Sequence, residues 1–428
     1  MNYLDENLPI IDLPLADSSI IKIIGVGGGG GNAVNHMYRQ GITDVTFVVC
    51  NTDKQALEKS PVPMKVQMGK GLGAGGKPEI ARAAAEESIE KIQEILQDNT
   101  EMVFITAGMG GGTGTGASPV IAKAAHDMGI LTIGIVTIPF AFEEERKIKQ
   151  ALKGVVALSE HVDAILVINN EKLYEIYPDM KISDAFAEAD NILTDAAKGI
   201  AEIITVPGYI NTDFADVHSI LKDGNVAIMN TGFASGENRI TKAIEDALNS
   251  PLLNTNDVSG ASKILLNLYC SSQNEIRMEE LKEVHQFMEK INDAQDVIWG
   301  ATFDDTLGDN VKVTLIATGF DVSDIPGMPA NEKDSNKRKE PEIFNKVPFV
   351  VNNEPVISEE DRKEEEEKEK EERIRKVTSA YYGDKIETEK EEIHIDDLPE
   401  FSLDDLEDEA KREDIENIPA WKRKASIL

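Results

Sequence analysis

The 428-residue chain is predicted to be an α/β protein: a parallel-sheet domain, a long connecting helix, a smaller α/β domain and a disordered acidic tail. Three observations predict it. Short β-branched runs alternate with helical patterns through the first half of the chain. An unbroken helical stretch of about two dozen residues follows. Beyond residue 330, 31 acids and 19 bases crowd into 98 positions. Such a segment cannot bury enough apolar surface to offset the entropy of ordering it.

Residues 1–17 form an N-terminal extension with four acids and no Lys or Arg, so no basic leader is expected. The first domain, 18–182, contains strand-like runs at Ile20–Val26, Val45–Asn51, Met102–Ala107, Leu131–Thr137 and Ala164–Asn169. Helices are expected after Asn32, near Pro78–Gln97 and near Ala117–Met128. The connecting helix, 183–206, carries Phe186, Ala189, Leu193, Ala197, Ile200 and Ile204 at helical spacing. From periodicity alone Phe186 belongs to the core.

The second domain, 207–330, has strand-like runs at Asn225–Thr231, Lys263–Cys270, Val297–Phe303 and Lys312–Gly319. Helices at Asn238–Leu248 and Met278–Ile291 separate them, and the sheet is expected to be mixed or antiparallel. Residues 331–412 read as a disordered acidic linker of roughly 50 Å r.m.s. span if treated as a flexible coil. Residues 413–428 differ again: Ile418, Pro419 and Trp421 precede three bases, Lys422, Arg423 and Lys424. This is either a frayed terminus or a short docking peptide with a Trp anchor.

Composition excludes several functions. The formal net charge of −34 leaves no basic footprint for nucleic acid. Cys50 and Cys270 are far apart with no C-x-x-C pair, so neither a disulfide framework nor a zinc site is expected, and a reducing cytoplasm fits. His36, His126, His161, His218, His285 and His394 show no metal-ligand spacing, so no protein-built metal site is predicted. The most apolar stretch, Ile130–Phe140, is about half the length a membrane span needs, so no direct membrane insertion is expected.

Chemistry concentrates in glycine-rich loops between a strand and a helix. The first is Gly25-Val26-Gly27-Gly28-Gly29-Gly30-Gly31-Asn32. Glycines let the backbone approach an anion, and a helix N-terminus supplies free N–H groups. Taken alone, this loop is either a phosphate site or a tight turn. The second loop, Ala107 to Gly116, adds the hydroxyls of Thr113 and Thr115 to a nest of N–H groups. It lacks the Gly-Lys-Ser/Thr of a Walker A loop. A third turn, Gly71 to Gly76, lies between them. Three such loops suit a triphosphate held by backbone rather than by charge.

GGGTGTG at 110–116 resembles the signature loop of the tubulin/FtsZ GTPase family. GVGGGGGNAVNHM at 25–37, GLGAGGKPE at 71–79, PFAFE at 139–143 and NTDFAD at 211–216 resemble the same family in order and spacing, and NIPAWKRK is similar to its docking tail. The resemblance covers about residues 18–325 and resumes at the C-terminal peptide. It implies a tubulin-like fold: a Rossmann-like GTPase domain, the connecting helix and a smaller C-terminal domain.

By the same resemblance, Gly110, Gly111, Gly112, Thr113, Gly114, Thr115 and Gly116 wrap the α- and β-phosphates of GTP or GDP. Gly27, Gly28, Gly29, Gly30, Gly31 and Asn32 contribute phosphate and base contacts. Gly73, Ala74 and Gly75 sense the γ-phosphate. Pro139 and Glu143 match the ribose-side loop. Four residues after that Glu the family often has Arg; here Lys147 stands there with Arg146 beside it, and either could make the basic contact, Lys as a point charge rather than a planar fork. Asn170 and Asn191 match the guanine-reading positions, and Phe186 would stack on the base.

Asn211, Asp213 and Asp216 match the acidic loop that such proteins insert into the next subunit's nucleotide site, where it polarises the attacking water and helps hold Mg²⁺ or another cation. From sequence alone, Asp213 and Asp216 equally suit a helix cap with first-turn acids. The resemblance thus implies an assembly-dependent GTPase that polymerises head to tail into filaments of the bacterial division ring. It implies a cytoplasmic, mid-cell location, an FtsA-like or SepF-like membrane tether on residues 413–428, and other division-ring regulators. Two competing readings are a dinucleotide oxidoreductase, with Asp53 on the ribose, and a non-catalytic scaffold of the same fold.

Overall fold

The computed structural model describes residues 19–177, 179–248, 260–290, 296–320, 400–401 and 424–425. Six strands pair in parallel: β1 (Ile21–Val26), β2 (Thr46–Asn51), β3 (Met64–Gln67), β4 (Met102–Gly108), β5 (Leu131–Ile138) and β6 (Ala164–Asn169). Their spatial order is β3-β2-β1-β4-β5-β6. Every residue of β1 and of β5 is buried, as expected where helices cover both faces of a parallel sheet. The order reverses between β1 and β4, which opens a crevice at their carboxyl ends.

The helices between these strands are α1 (Gly27–Gln40), α2 (Lys54–Lys59), α3 (Pro78–Glu87), α4 (Ile89–Gln97), α5 (Gly112–Asp127), α6 (Glu145–Ser159) and α7 (Asn170–Ile176). Two of the expected helix starts are corrected. α1 begins at Gly27 rather than after Asn32, and α5 at Gly112 rather than Ala117, so the glycines form first helical turns instead of loops. Low glycine propensity hid this. The helix expected over Pro78–Gln97 is two helices. The Ser88 hydroxyl bonds the Ala84 carbonyl at 2.9 Å, a back-bond that bends helices. The sequence reading missed β3, with one buried residue in four, and the six-residue α2.

The connecting helix α8 (Ile182–Thr205) matches expectation within a residue, and its Leu193, Ala197 and Ile200 enter the main core with Ile133 and Phe104. After it come α9 (Phe214–Leu221), β7 (Asn225–Ser235), α10 (Arg239–Leu248), β8 (Lys263–Cys270), α11 (Leu281–Lys290), β9 (Asp296–Phe303) and β10 (Asn310–Phe320). β10 pairs antiparallel with β7 and β8, while β9 pairs parallel with β8. The sheet is therefore mixed. It is also continuous with the first one: β7 joins β6 in parallel through Ala164↔Asn225 and Ile165↔Val226. A turn with positive φ at Asp223 and Asn225 returns the chain there. The Asn225 N–H donates to the Asp163 carbonyl at 3.0 Å, and Lys222 Nζ lies 2.7 Å from Asp163 Oδ1.

No helix among the described residues is long and apolar enough to cross a membrane. The extension 1–17 lies outside the described residues, as do the linker 331–412 and tail 413–428 apart from four positions. Those four form a two-residue parallel ladder, β11 (Glu400–Phe401) with β12 (Lys424–Ala425).

Candidate functional site

The crevice between β1 and β4 receives the first turns of α1 and α5. Neither helix start has a side-chain cap, and neither has an acid in its first turn. Their free N–H groups and positive dipole ends make an anion site without any lysine. The glycines divide into two kinds. Gly28, Gly73, Gly75 and Gly111 face open space, so a ligand can lie directly on their backbone. Gly30 and Gly116 are packing devices: a methyl on either would overlap the carbonyl of Thr106 or Pro78. Gly27 and Gly114 meet across the crevice, and Gly29 and Gly31 continue α1 behind Gly28. Asn32 is exposed on the second turn.

The turn Gly71–Gly76 lies against α5. Gly73, at φ +79°, donates its N–H to the Thr52 carbonyl at 2.9 Å, and Ala74 and Lys77 close on Gly112. Thr52 Oγ1 lies 2.7 Å from Thr113 Oγ1, and Thr115 Oγ1 accepts from the Gly110 N–H at 2.9 Å. Gln150 of α6 clamps both loops. Its Nε2 donates to the carbonyls of Gly110 and Gly111 at 2.9 Å each and reaches Gly76 O at 3.3 Å. Sequence reading missed Thr52 and Gln150, which meet the glycine loops only through tertiary contacts.

The segment after β5 forms the next wall. Pro139 and Phe140 follow the strand, and Glu143 Oε1 accepts from the Phe140 N–H at 3.1 Å. Lys147 Nζ lies 3.5 Å from Glu143 Oε2. Arg146 instead lines a cleft of about 1060 Å³ bounded by α3, α5 and α6, which leaves Lys147 as the base beside Glu143. Phe186 is partly exposed and meets Phe140 edge-on at 5.2 Å, so it is wall rather than core. Asn170 opens α7, buried, with its Oδ1 free of any hydrogen bond. Asn191 donates to Glu188 Oε2 at 2.9 Å. Burial pushes the neighbouring Asp190 carboxyl up to about 6, against the opposing pull of His36. Asp53 caps α2, its Oδ1 accepting from the Gln55 and Ala56 N–H groups.

The acidic loop lies elsewhere. Asp213 and Asp216 form a reciprocal capping box at the start of α9: each accepts the other's backbone N–H at 3.0 Å. Each keeps one carboxylate oxygen without a partner among the described residues. Asn211 Oδ1 accepts from the Gly208 N–H at 3.2 Å. The crevice end of α8 carries Phe186, whereas the acidic loop follows its other end, 24 residues and roughly 36 Å away. α9 then packs beside the first residues of β5 and β6. Within one chain the crevice lies at the carboxyl ends of β1 and β4, whereas the acidic loop lies beside β9, the last strand of the sheet. Among the described residues no group of three His, Cys, Asp or Glu could hold a metal ion.

Residues 20–178 match the Tubulin/FtsZ family GTPase domain, and residues 225–321 match the FtsZ family C-terminal domain. The chain is 45% identical over 434 residues to the cell division protein FtsZ of Porphyromonas gingivalis, covering 100% of this chain and 88% of that protein. It is 42% identical over 307 residues to that of Aquifex aeolicus, covering 70% and 83%. Among solved structures, an empty FtsZ dimer from M. jannaschii is 40% identical, with a TM-score of 0.64 over 72% of this chain and 90% of that one. The GTPγS-bound protofilament of CetZ2 from Haloferax volcanii, 20% identical, shares the fold with a TM-score of 0.60 over 71% and 94%. A crevice walled by uncapped helix starts and backbone glycines and these matches lead to one assignment: the chain belongs to the FtsZ family of cell division proteins, with a GTP-binding, tubulin-like GTPase domain.

Proposed function

We propose that the chain hydrolyses GTP to GDP and phosphate only when stacked head to tail, with Asn211, Asp213 and Asp216 of one subunit completing the crevice of the next. The observation that carries this is the placement of α8, 24 residues and roughly 36 Å long, between the crevice wall at Phe186 and the loop that leads to the acids. A crevice of backbone and threonine binds phosphates, and the carboxylates beside it are engaged, Asp53 as the cap of α2 and Glu143 with Phe140 and Lys147. The loop beside β9 supplies two more, each with a spare oxygen. Exposed apolar side chains stand at both places, Leu72 and Phe142 near the crevice and Tyr209 with Phe303 near the acids. Two unlike patches that meet without closing generate a filament.

In this reading the α5 start, residues 110–116, holds the α- and β-phosphates, and Gly73, Ala74 and Gly75 face the γ-phosphate. Gly27 to Asn32 complete the phosphate side. Pro139, Glu143 and Lys147 border the ribose, and Asn170, Asn191 and Phe186 take the guanine. The free oxygens of Asp213 and Asp216 accept hydrogen bonds from the attacking water. Its oxygen bonds the γ-phosphorus as the bridge to the β-phosphate breaks. Phosphoryl transfer needs little beyond such positioning and charge stabilisation. A bound Mg²⁺ or similar cation would neutralise phosphate charge, held by the phosphates and the incoming carboxylates.

The same reading assigns 18–182 to GTP binding, 183–206 to the connecting helix and 207–330 to the C-terminal domain with the catalytic loop. The linker 331–412 joins these to a docking peptide at 413–428 for an FtsA-like or SepF-like tether, and division-ring regulators act on the assembled filament. The filament lies in the cytoplasm at mid-cell and forms the division ring. Asp213→Ala tests the reaction. It should bind GTP and co-assemble but lose nearly all phosphate release; turnover near wild type would overturn the shared site.

A further inference from the structure

We propose that Gly300 and Thr212 are positioning residues for the hydrolysis step, interlocking so that β9 sets where Asp213 and Asp216 stand. This rests on the shared-site reading above and adds the seat on which it depends.

The loop before α9 lies along the free edge of β9. Ile210 and Ala301 exchange both backbone hydrogen bonds, at 3.1 and 3.0 Å. Gly208 sits over the Ala301 carbonyl, where an added Cβ would stand 2.6 Å from that oxygen. Thr212 drops its side chain into the space that a Cβ on Gly300 would fill: such a carbon would overlap Thr212 Oγ1 and stand 2.8 Å from Asn267 Oδ1. Thr212 is buried, and its hydroxyl has no hydrogen-bond partner among the described residues, so shape rather than polarity seats it. The next residue is Asp213, the cap of α9.

The other end of α9 is fixed too. Lys263 of β8 donates to the Lys222 carbonyl at 3.1 Å, and Thr318 of β10 donates to that of Ile220 at 2.8 Å. With α9 anchored downstream, the notch at Gly300 is where the height of Asp213 above the sheet is set. A methyl there crowds the Thr212 hydroxyl; in the proposed interlock the loop yields, lifting Thr212 and carrying both carboxylates with it. A displacement near 1 Å can cost about 10²-fold in rate without touching the reacting groups.

The test uses the full-length chain. Gly300→Ala should cut phosphate release per assembled subunit by about 10²-fold while GTP affinity at sub-assembly concentration stays at the wild-type value. Gly300→Ala with Thr212→Ala removes the nearer of the two crowded atoms, leaving only the Asn267 side-chain oxygen to shift, and should recover at least about a tenth of wild-type turnover. Thr212→Gly empties the notch from the other side and should lower turnover per assembled subunit with GTP affinity kept. It decides the matter should Gly300→Ala fail to fold. Normal turnover in Gly300→Ala, or in Thr212→Gly, overturns the interlock, as does a double variant no faster than the single one. Asp213→Ala runs alongside. If it too keeps its turnover, the shared site itself has failed; if it alone is dead, only the interlock has.

Discussion

At the carboxyl ends of β1 and β4 the chain presents backbone: two uncapped helix starts, glycines open to solvent and threonine hydroxyls held by one another. Beside β9 it presents side chains: two carboxylates on a helix start capped by those same carboxylates. The first surface suits an anion because nothing negative competes for its N–H groups. The second suits a water or cation because each carboxylate spends one oxygen on the other's backbone N–H and keeps one. The pair of surfaces is the basis of the proposal that binding and reaction are separated within one subunit and joined by contact between copies.

Complementation can break that comparison outright. Gly28→Glu places a carboxylate at the open start of α1 and should abolish GTP binding, whereas Asp213→Ala leaves binding intact. Neither variant alone should release phosphate. Mixed in equal amounts and shown to co-sediment, they should regain turnover, because about a quarter of randomly formed head-to-tail contacts pair a sound crevice with sound acids. A co-pellet that stays inactive would place both functions in one subunit.

The clamp across the crevice loops sharpens the first half. Gln150→Glu exchanges the amide donor for an acceptor facing the carbonyls of Gly110 and Gly111. GTP affinity, read by nucleotide titration, should fall about tenfold, a loss of roughly 1–2 kcal/mol. An unaltered dissociation constant would mean that close packing at Gly112 and Gly116 holds the loops unaided.

Asp190 offers a smaller effect. Its carboxyl pKa is raised by burial to about 6 in the folded chain from an ordinary 3.8. Between those values the folded state holds a proton the unfolded state has released, so stability falls as pH rises from about 4 to 6 and is level above. Asp190→Asn should flatten that slope in thermal melts and raise the midpoint most at pH 7. A slope identical to wild type would assign the pH dependence elsewhere. Smallest of all, Lys54→Ala breaks an exposed pair with Glu58 at 3.7 Å and should shift unfolding free energy by less than about 0.5 kcal/mol; a larger shift in denaturant melts would mean surface charge matters more than backbone packing near the crevice.

Much of this was legible in the residues because local patterns report local structure. The apolar runs of β1, β5 and β6 and the spacing along α8 fall within a residue or two of the observed elements. The glycine loops lie together at the carboxyl ends of β1 and β4, as a shared site for them requires. Helix starts at Gly27 and Gly112 were not legible, since glycine reads as loop and only packing against Thr106 and Pro78 makes it helical. Phe186 was assigned to the core by its period, yet it stands half-open beside Phe140.

By itself the sequence determined the strand–helix alternation, the connecting helix and the residue types able to meet phosphates, because these depend on neighbours a few positions away. Tertiary structure alone decided that the two sheets are continuous, that Gln150 reaches loops some 40 and 74 residues distant, and that Thr212 rests in the notch of Gly300. Those contacts join parts of the chain whose separation no periodicity encodes. The placement of the acidic loop beside β9 belongs to the same class, because Ile210 and Ala301 are some 90 residues apart in the chain.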